Sequence, residues 1–149
     1  MSERVDFLKV APEAMKPLMD FHKYVTNCSI EEKLRLLVEL RVSLINGCAY
    51  CIDLHSNELR AAGEMKQRID LVTVWDEVPF YTDREKAALR WAESVTLVSQ
   101  THVPDEVYEE VSQHFSEAEL IDLTTIVVAM NSWNRLSVSF RKPPPTRHS

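Results

Sequence analysis

The segment Ser29-Ile30-Glu31-Glu32-Lys33-Leu34-Arg35-Leu36-Leu37-Val38-Glu39-Leu40-Arg41-Val42-Ser43-Leu44-Ile45-Asn46-Gly47-Cys48-Ala49-Tyr50-Cys51-Ile52-Asp53-Leu54-His55 sets the architecture of this chain. It opens as a capping box, with Ser29 as N-cap and Glu32 three residues on. The run Leu34 to Ile45 is almost continuous in Leu and Val, which predicts a helix buried on several sides. Asn46-Gly47 interrupts the pattern, because Gly or Asn just past the last periodic residue stops a helix. A second helix then starts at or near Cys48, runs towards Ala62 and stops at Gly63. Cys48, Cys51 and His55 occupy positions i, i+3 and i+7 of it, on one stripe of a helix turning about 100° per residue. Two thiols come within disulfide reach, and a proton carrier lies one turn further along.

Similar signals appear on both sides of this segment. Pro12 opens a helix to about Thr26, with Leu18, Met19, Phe21, His22 and Val25 on its apolar face and Pro17 expected to kink it or delay its start. Met65 to Trp75 reads as a helix ended before Pro79. Thr82-Asp83-Arg84-Glu85 is a second capping box, opening Lys86 to about Ser99. Pro104, Asp105 and Glu106 suit the first turn of another helix, and Ser116-Glu117-Ala118-Glu119 is a third box ahead of Leu120 to about Phe140. Arg141-Lys142-Pro143-Pro144-Pro145 ends the pattern. Only two glycines, Gly47 and Gly63, occur in 149 residues, too few for a chain of strands and tight hairpins. No internal repeat or dividing linker is visible. The expected fold is all-α: a compact bundle of about seven helices, with residues 1–142 as one domain and 143–149 as a disordered tail.

Charge and hydropathy exclude several classes of function. The formal net charge is −6 and no basic stripe offsets it, which argues against a general nucleic-acid binder. Apolar runs break well short of the ~18 residues of a membrane helix. No secretory signal pattern opens the chain, so a cytosolic location is expected, where Cys-x-x-Cys serves redox chemistry or metal binding more often than crosslinking. No glycine-rich phosphate loop exists to hold a nucleotide, and no bound organic cofactor is expected.

Three readings of the Cys48, Cys51 and His55 stripe stay open at this point. The thiols cycle between dithiol and disulfide while His55 moves protons; they bind zinc with His55; or they are small buried hydrophobes. Zinc lacks a fourth ligand nearby, and the redox reading suits the spacing best, so no resident metal is expected. Glu39, in the preceding helix, either relays protons to the thiols or pairs with Arg35 four residues away. Cys28 reads as a bystander. His22, His102, His114 and His148 read as surface or satisfied core residues, and Trp75, Trp91 and Trp133 as core or subunit contacts.

Leu40 to His55, with its Asn-Gly-Cys-x-x-Cys-x-x-x-His pattern, closely resembles the core of the alkylhydroperoxidase D-like proteins of the carboxymuconolactone decarboxylase family. The likeness continues through Trp75 to Phe80, Glu85 to Thr96, Thr101 to Tyr108 and Asn131 to Arg141. It implies an all-helical subunit forming homo-oligomers (dimers, trimers or hexamers) that reduces organic hydroperoxides. Cys51 would attack the peroxide, Cys48 would condense with it as a disulfide, and His55 would act as acid or base. Position alone favours Cys48 as nucleophile, since it lies nearer the helix N-terminus. An external dithiol or protein reductant would close the cycle. Two departures stand out: Leu36 replaces the family's relay glutamate, and Tyr50 replaces a histidine seen before the second cysteine. Glu39 is the acid placed to substitute. Leu44, Ile52 and Trp133 are expected as apolar walls for a small organic hydroperoxide. The alternatives are disulfide exchange with a protein partner and a non-enzymatic oligomeric binding protein with structural or zinc-bound thiols.

Overall fold

Every helix of the computed structural model, which describes residues 1–148, packs directly or through a neighbour onto one almost fully buried segment. That segment is α3, Glu32–Asn46, on which Leu36, Leu37, Val38, Leu40 and Val42 are all buried. The elements in order are α1 (Phe7–Val10), α2 (Pro12–Thr26), α3, α4 (Ala49–Ala61), α5 (Lys66–Leu71), α6 (Asp83–Thr96), α7 (Val98–Thr101), α8 (Asp105–Ser112) and α9 (Glu117–Phe140). No strand occurs among the described residues. The all-α expectation holds. The two additional helices are the single turns α1 and α7, too short to show a hydrophobic period.

Helix α3 packs against α4, α6 and α9 and divides the interior into two apolar clusters. One joins Val38 and Val42 to Trp91, Leu123, Ile126 and Val127; the other joins Leu36, Leu37 and Leu40 to Leu59, Val72 and Trp75. The boxes at Thr82 and Ser116 form as read, each with reciprocal side-chain and backbone bonds. Pro104 is the N-cap of α8 rather than a residue of its first turn.

Ser29, Pro17 and the segment after Leu71 also differ from expectation. Ser29 does not cap α3; Glu31 stands at the N-cap without a side-chain bond. Ser29 instead donates to Asp122 of α9 through its backbone N–H (2.9 Å) and its hydroxyl (2.6 Å). Both donors of Ser29 go to this carboxylate in charge-assisted bonds, about twice as strong as neutral ones, which hold the residue outside the helix. Pro17 leaves α2 unbroken: it and Glu13 are exposed, so the carbonyl it frees lies on the solvent side. The helix expected over Met65 to Trp75 tightens after Leu71 into a 3-10 segment, Val72–Glu77, with a non-helical Val74. Beyond Lys142 the described residues have no regular secondary structure, and Arg147 there bonds Asp53 of α4 at 2.9 Å. Ser149, the last residue of the expected tail, lies outside the described residues.

Asp122 clamps α9 to the end of α2 and the start of α3. Tyr24 donates to it at 2.5 Å, alongside the two bonds from Ser29. The Ser29 hydroxyl, then the Tyr24 hydroxyl and the Ser29 amide, hold its carboxyl below the usual carboxylate range. Asp122→Asn should therefore lower stability by about 1–3 kcal/mol near neutral pH. The difference should be complete above pH about 4 and shrink as pH falls through the depressed native pKa, where the wild-type carboxyl also becomes protonated. Denaturant melts of both proteins across acidic pH check this; a gap that widens on acidification contradicts it.

Candidate active site

Gly47 starts the site. It adopts the left-handed conformation (φ 66°) that closes α3 and redirects the chain, a geometry costly for residues with a Cβ. Cys48 follows as N-cap of α4, its sulfur accepting the Cys51 amide proton at 3.2 Å. The sulfurs of Cys48 and Cys51 are bonded, 2.14 Å apart, and both residues are buried. In this form neither sulfur is a free thiolate able to bind zinc.

His55 lies one turn beyond Cys51 and is 2% exposed. Its Nδ1 stands 3.2 Å from Glu39 Oε2 and 2.9 Å from Glu58 Oε2. The bond from His55 holds the Glu58 carboxyl below its ordinary range, so Glu58 is present as a carboxylate. Carboxylates only accept hydrogen bonds, so Nδ1 carries the proton. In the neutral ring the lone pair then resides on Nε2. That nitrogen is buried with no hydrogen-bond partner among the described residues.

Glu39 makes the ion pair considered for it and also faces His55. Arg35 reaches both of its oxygens, at 3.0 and 3.1 Å, while Oε2 faces His55. Arg35 and Glu39 are 8% and 2% exposed, so the charge pair offsets a desolvation cost neither could bear alone. Leu36 belongs to the apolar cluster with Leu37, Leu59 and Trp75. The α3 acid at His55 is thus Glu39, three residues along the same helix, beside Glu58 of α4.

Cys51 and His55 share the wall of a cavity of about 250 Å³. Phe7, His22, Tyr50, Leu54, Met130 and Trp133 supply most of the remaining lining. His22 meets Trp133 edge-on, with ring centroids 6.3 Å apart, and Trp133 Nε1 is buried without a partner among the described residues. Of the three expected walls only Trp133 is in place; Leu44 and Ile52 pack against the Leu37 and Trp75 cluster instead. Cys28 remains apart and half-buried, packed against the other cluster, where burial pushes its thiol up.

Sequence reasoning missed Glu58, His22, Tyr50 as a lining residue, and Lys142, whose ammonium lies 4.8 Å from the Tyr50 ring centre. Glu58 had a usable signal, an acid at i+3 from His55 on the same helix. His22 and Lys142 had none, because only tertiary packing brings α2 and the end of α9 to α4. Glu39, His55 and Glu58 also form a set of possible metal donors, with ligand atoms within 4.8 Å of one another. Arg35 already engages both Glu39 oxygens, so a cation would have to displace a guanidinium there; the set is better suited to sharing a proton.

Known proteins share this arrangement of helices. YdfG of Bacillus subtilis strain 168, an uncharacterised protein, is 45% identical over 139 residues, covering 93% of this chain and 95% of its own. A protein of unknown function from Agrobacterium tumefaciens, ATU0492, provisionally named for the antioxidant defence protein AhpD, is 40% identical. Its structure superposes with a TM-score of 0.96 over 98% of this chain and 100% of the other. An uncharacterised peroxidase-related protein with an alkylhydroperoxidase AhpD core, from Ralstonia eutropha JMP134, has the same fold. It is 21% identical, with a TM-score of 0.82 over 93% of this chain and 74% of its own. Residues 12–94 match the family model, and with these relatives they show that the chain belongs to the carboxymuconolactone decarboxylase family and has the AhpD-like fold.

Proposed function

We propose that this protein is a thiol-dependent peroxidase that reduces small organic hydroperoxides. The observation that carries the reading is the buried chain Arg35–Glu39–His55, which leaves His55 Nε2 basic in the same cavity wall as Cys51. His55 takes the Cys51 proton, since only the thiolate is nucleophilic. Cys51 attacks the terminal peroxide oxygen; the O–O bond breaks and the leaving alkoxide receives the proton from His55 as alcohol. Cys51 is then a sulfenic acid. The Cys48 thiol displaces its hydroxyl as water, forming the disulfide. An external thiol reductant restores both thiols and is itself oxidised.

The apolar cavity wall suits an organic peroxide, and the AhpD name of the Agrobacterium relative supports the class of reaction. The same reading takes the working form as a homo-oligomer in the cytosol. Turnover of an organic hydroperoxide with dithiothreitol tests it. Cys51→Ser should abolish turnover, and an unimpaired variant would sink the mechanism. Peroxide inertness of the wild type, with rapid oxidation by a protein disulfide, would move the assignment to disulfide exchange. His55→Gln should slow the reaction by about 10²–10⁴-fold, as expected for loss of a general base, and flatten its pH dependence. An unchanged pH–rate profile would remove His55 from the mechanism.

Glu39→Gln should be costly in stability as well as rate. It leaves Arg35 buried without its carboxylate, a loss of about 3–5 kcal/mol. Equilibrium unfolding of the variant measures this, and a change below about 0.5 kcal/mol would mean the pair is not buried as described.

A further inference from the structure

The two cysteines line different cavities, which meet at Ser137 and Lys142. Cys51 lines the apolar cavity beside His55; Cys48 lines a second one of about 240 Å³, with Gly47, Ala49, Val138 and Arg141. Arg141 and Lys142 rim this second cavity, and its described lining holds no acidic side chain. Among the described residues neither cation has a carboxylate within salt-bridge distance. Both are presented by the turn that ends α9: Arg141 is left-handed (φ 54°), and the Lys142 amide bonds back to the Ser137 carbonyl at 2.9 Å.

A thiolate attacks a disulfide in line with the bond that breaks, from beyond the sulfur it strikes, and the better leaving thiolate departs faster. Approach from the second cavity strikes Cys48 and expels Cys51. Approach from the first strikes Cys51 and expels Cys48, away from the imidazole. Only approach from the second cavity releases Cys51, the thiolate that shares a cavity wall with His55 and reacts with peroxide in the proposed mechanism.

We propose that the disulfide is formed from one cavity and reduced from the other, by a small thiol bearing a carboxylate that enters between Arg141 and Lys142 and attacks Cys48. The cavity's size accommodates a small thiol, and its cationic rim selects a negative charge. The thiolate bonds to the Cys48 sulfur as the Cys48–Cys51 bond breaks, and Cys51 leaves with the electron pair. A second thiol molecule then attacks the sulfur of the bound reductant. It releases Cys48 as thiolate and departs as the reductant's own disulfide, so two thiols are oxidised for one protein disulfide reduced. The scheme rests on the redox assignment of the pair but needs no peroxide, so its test stands apart from that of peroxidase activity.

The experiment starts from purified full-length disulfide protein and uses 3-mercaptopropionate, 2-mercaptoethanol and cysteamine as probes. Second-order reduction rates, expressed per thiolate, should be roughly tenfold higher for the carboxylate than for the amine at low ionic strength, with the neutral thiol between. Salt should compress the difference. Arg141→Glu should reduce or invert the ratio, and circular dichroism establishes that the variant is folded. Acid-quenched intermediates digested and mapped by mass spectrometry should carry the probe on Cys48. Adducts on Cys51, or equal rates for the three charge types, overturn the proposal. Because the oxidised protein is the starting material, inertness towards hydroperoxide leaves this result interpretable.

Discussion

A carboxylate buried between a guanidinium and an imidazole constrains most of this structure. Glu39 is 2% exposed inside the most buried helix of the bundle, and it is tolerated there because Arg35 engages both its oxygens and His55 one of them. An uncompensated charge at that depth would cost several kcal/mol. The pairing therefore fixes the rotation of α3 about its axis and, through His55, the position of α4 against it. Gly47 makes the turn between these helices short enough for the two side chains to meet. The leucines of α3 pack on the faces this rotation leaves to them, and α6 and α9 close around those faces.

The same constraint supplies the chemistry of the proposed mechanism. Two carboxylates on Nδ1 orient the imidazole and define its tautomer, which leaves Nε2 as the basic atom in a wall shared with Cys51. The largely apolar lining limits competition from water for that nitrogen. Placing Cys48 at the N-cap, with its sulfur accepting the Cys51 amide proton, keeps the second sulfur within bonding distance without loop motion. In the proposed mechanism, stability and reactivity depend on one buried charge chain.

Much of this was legible in the sequence because it is local. The boxes at Thr82 and Ser116, the stop at Gly47 and the stripe of Cys48, Cys51 and His55 follow from spacing within one or two helical turns. The illegible parts are those decided at long range. Ser29 matches a capping serine in every local respect, yet a carboxylate 93 residues away in the chain takes its hydrogen bonds. Leu44 and Ile52 look like cavity walls by their proximity to the cysteines, but the direction of their helix faces sends them to the core. His22 and Lys142 reach the site only because α2 and the end of α9 pack beside α4. Glu39 is intermediate: its partner at i+4 was readable, whereas its contact with His55 required knowing how α3 folds back on α4.

The proposed mechanism requires that neutral His55 carry its proton on Nδ1, held by Glu39 and Glu58, and leave Nε2 bare. Long-range ¹H–¹⁵N correlation NMR of the reduced, ¹⁵N-labelled protein at alkaline pH reads this tautomer, with His55→Gln used for assignment. The expected result is one neutral ring with a protonated Nδ1 and an Nε2 resonance typical of an unprotonated, pyridine-like nitrogen. A His55 ring protonated on Nε2, with Nδ1 bare, would contradict the account.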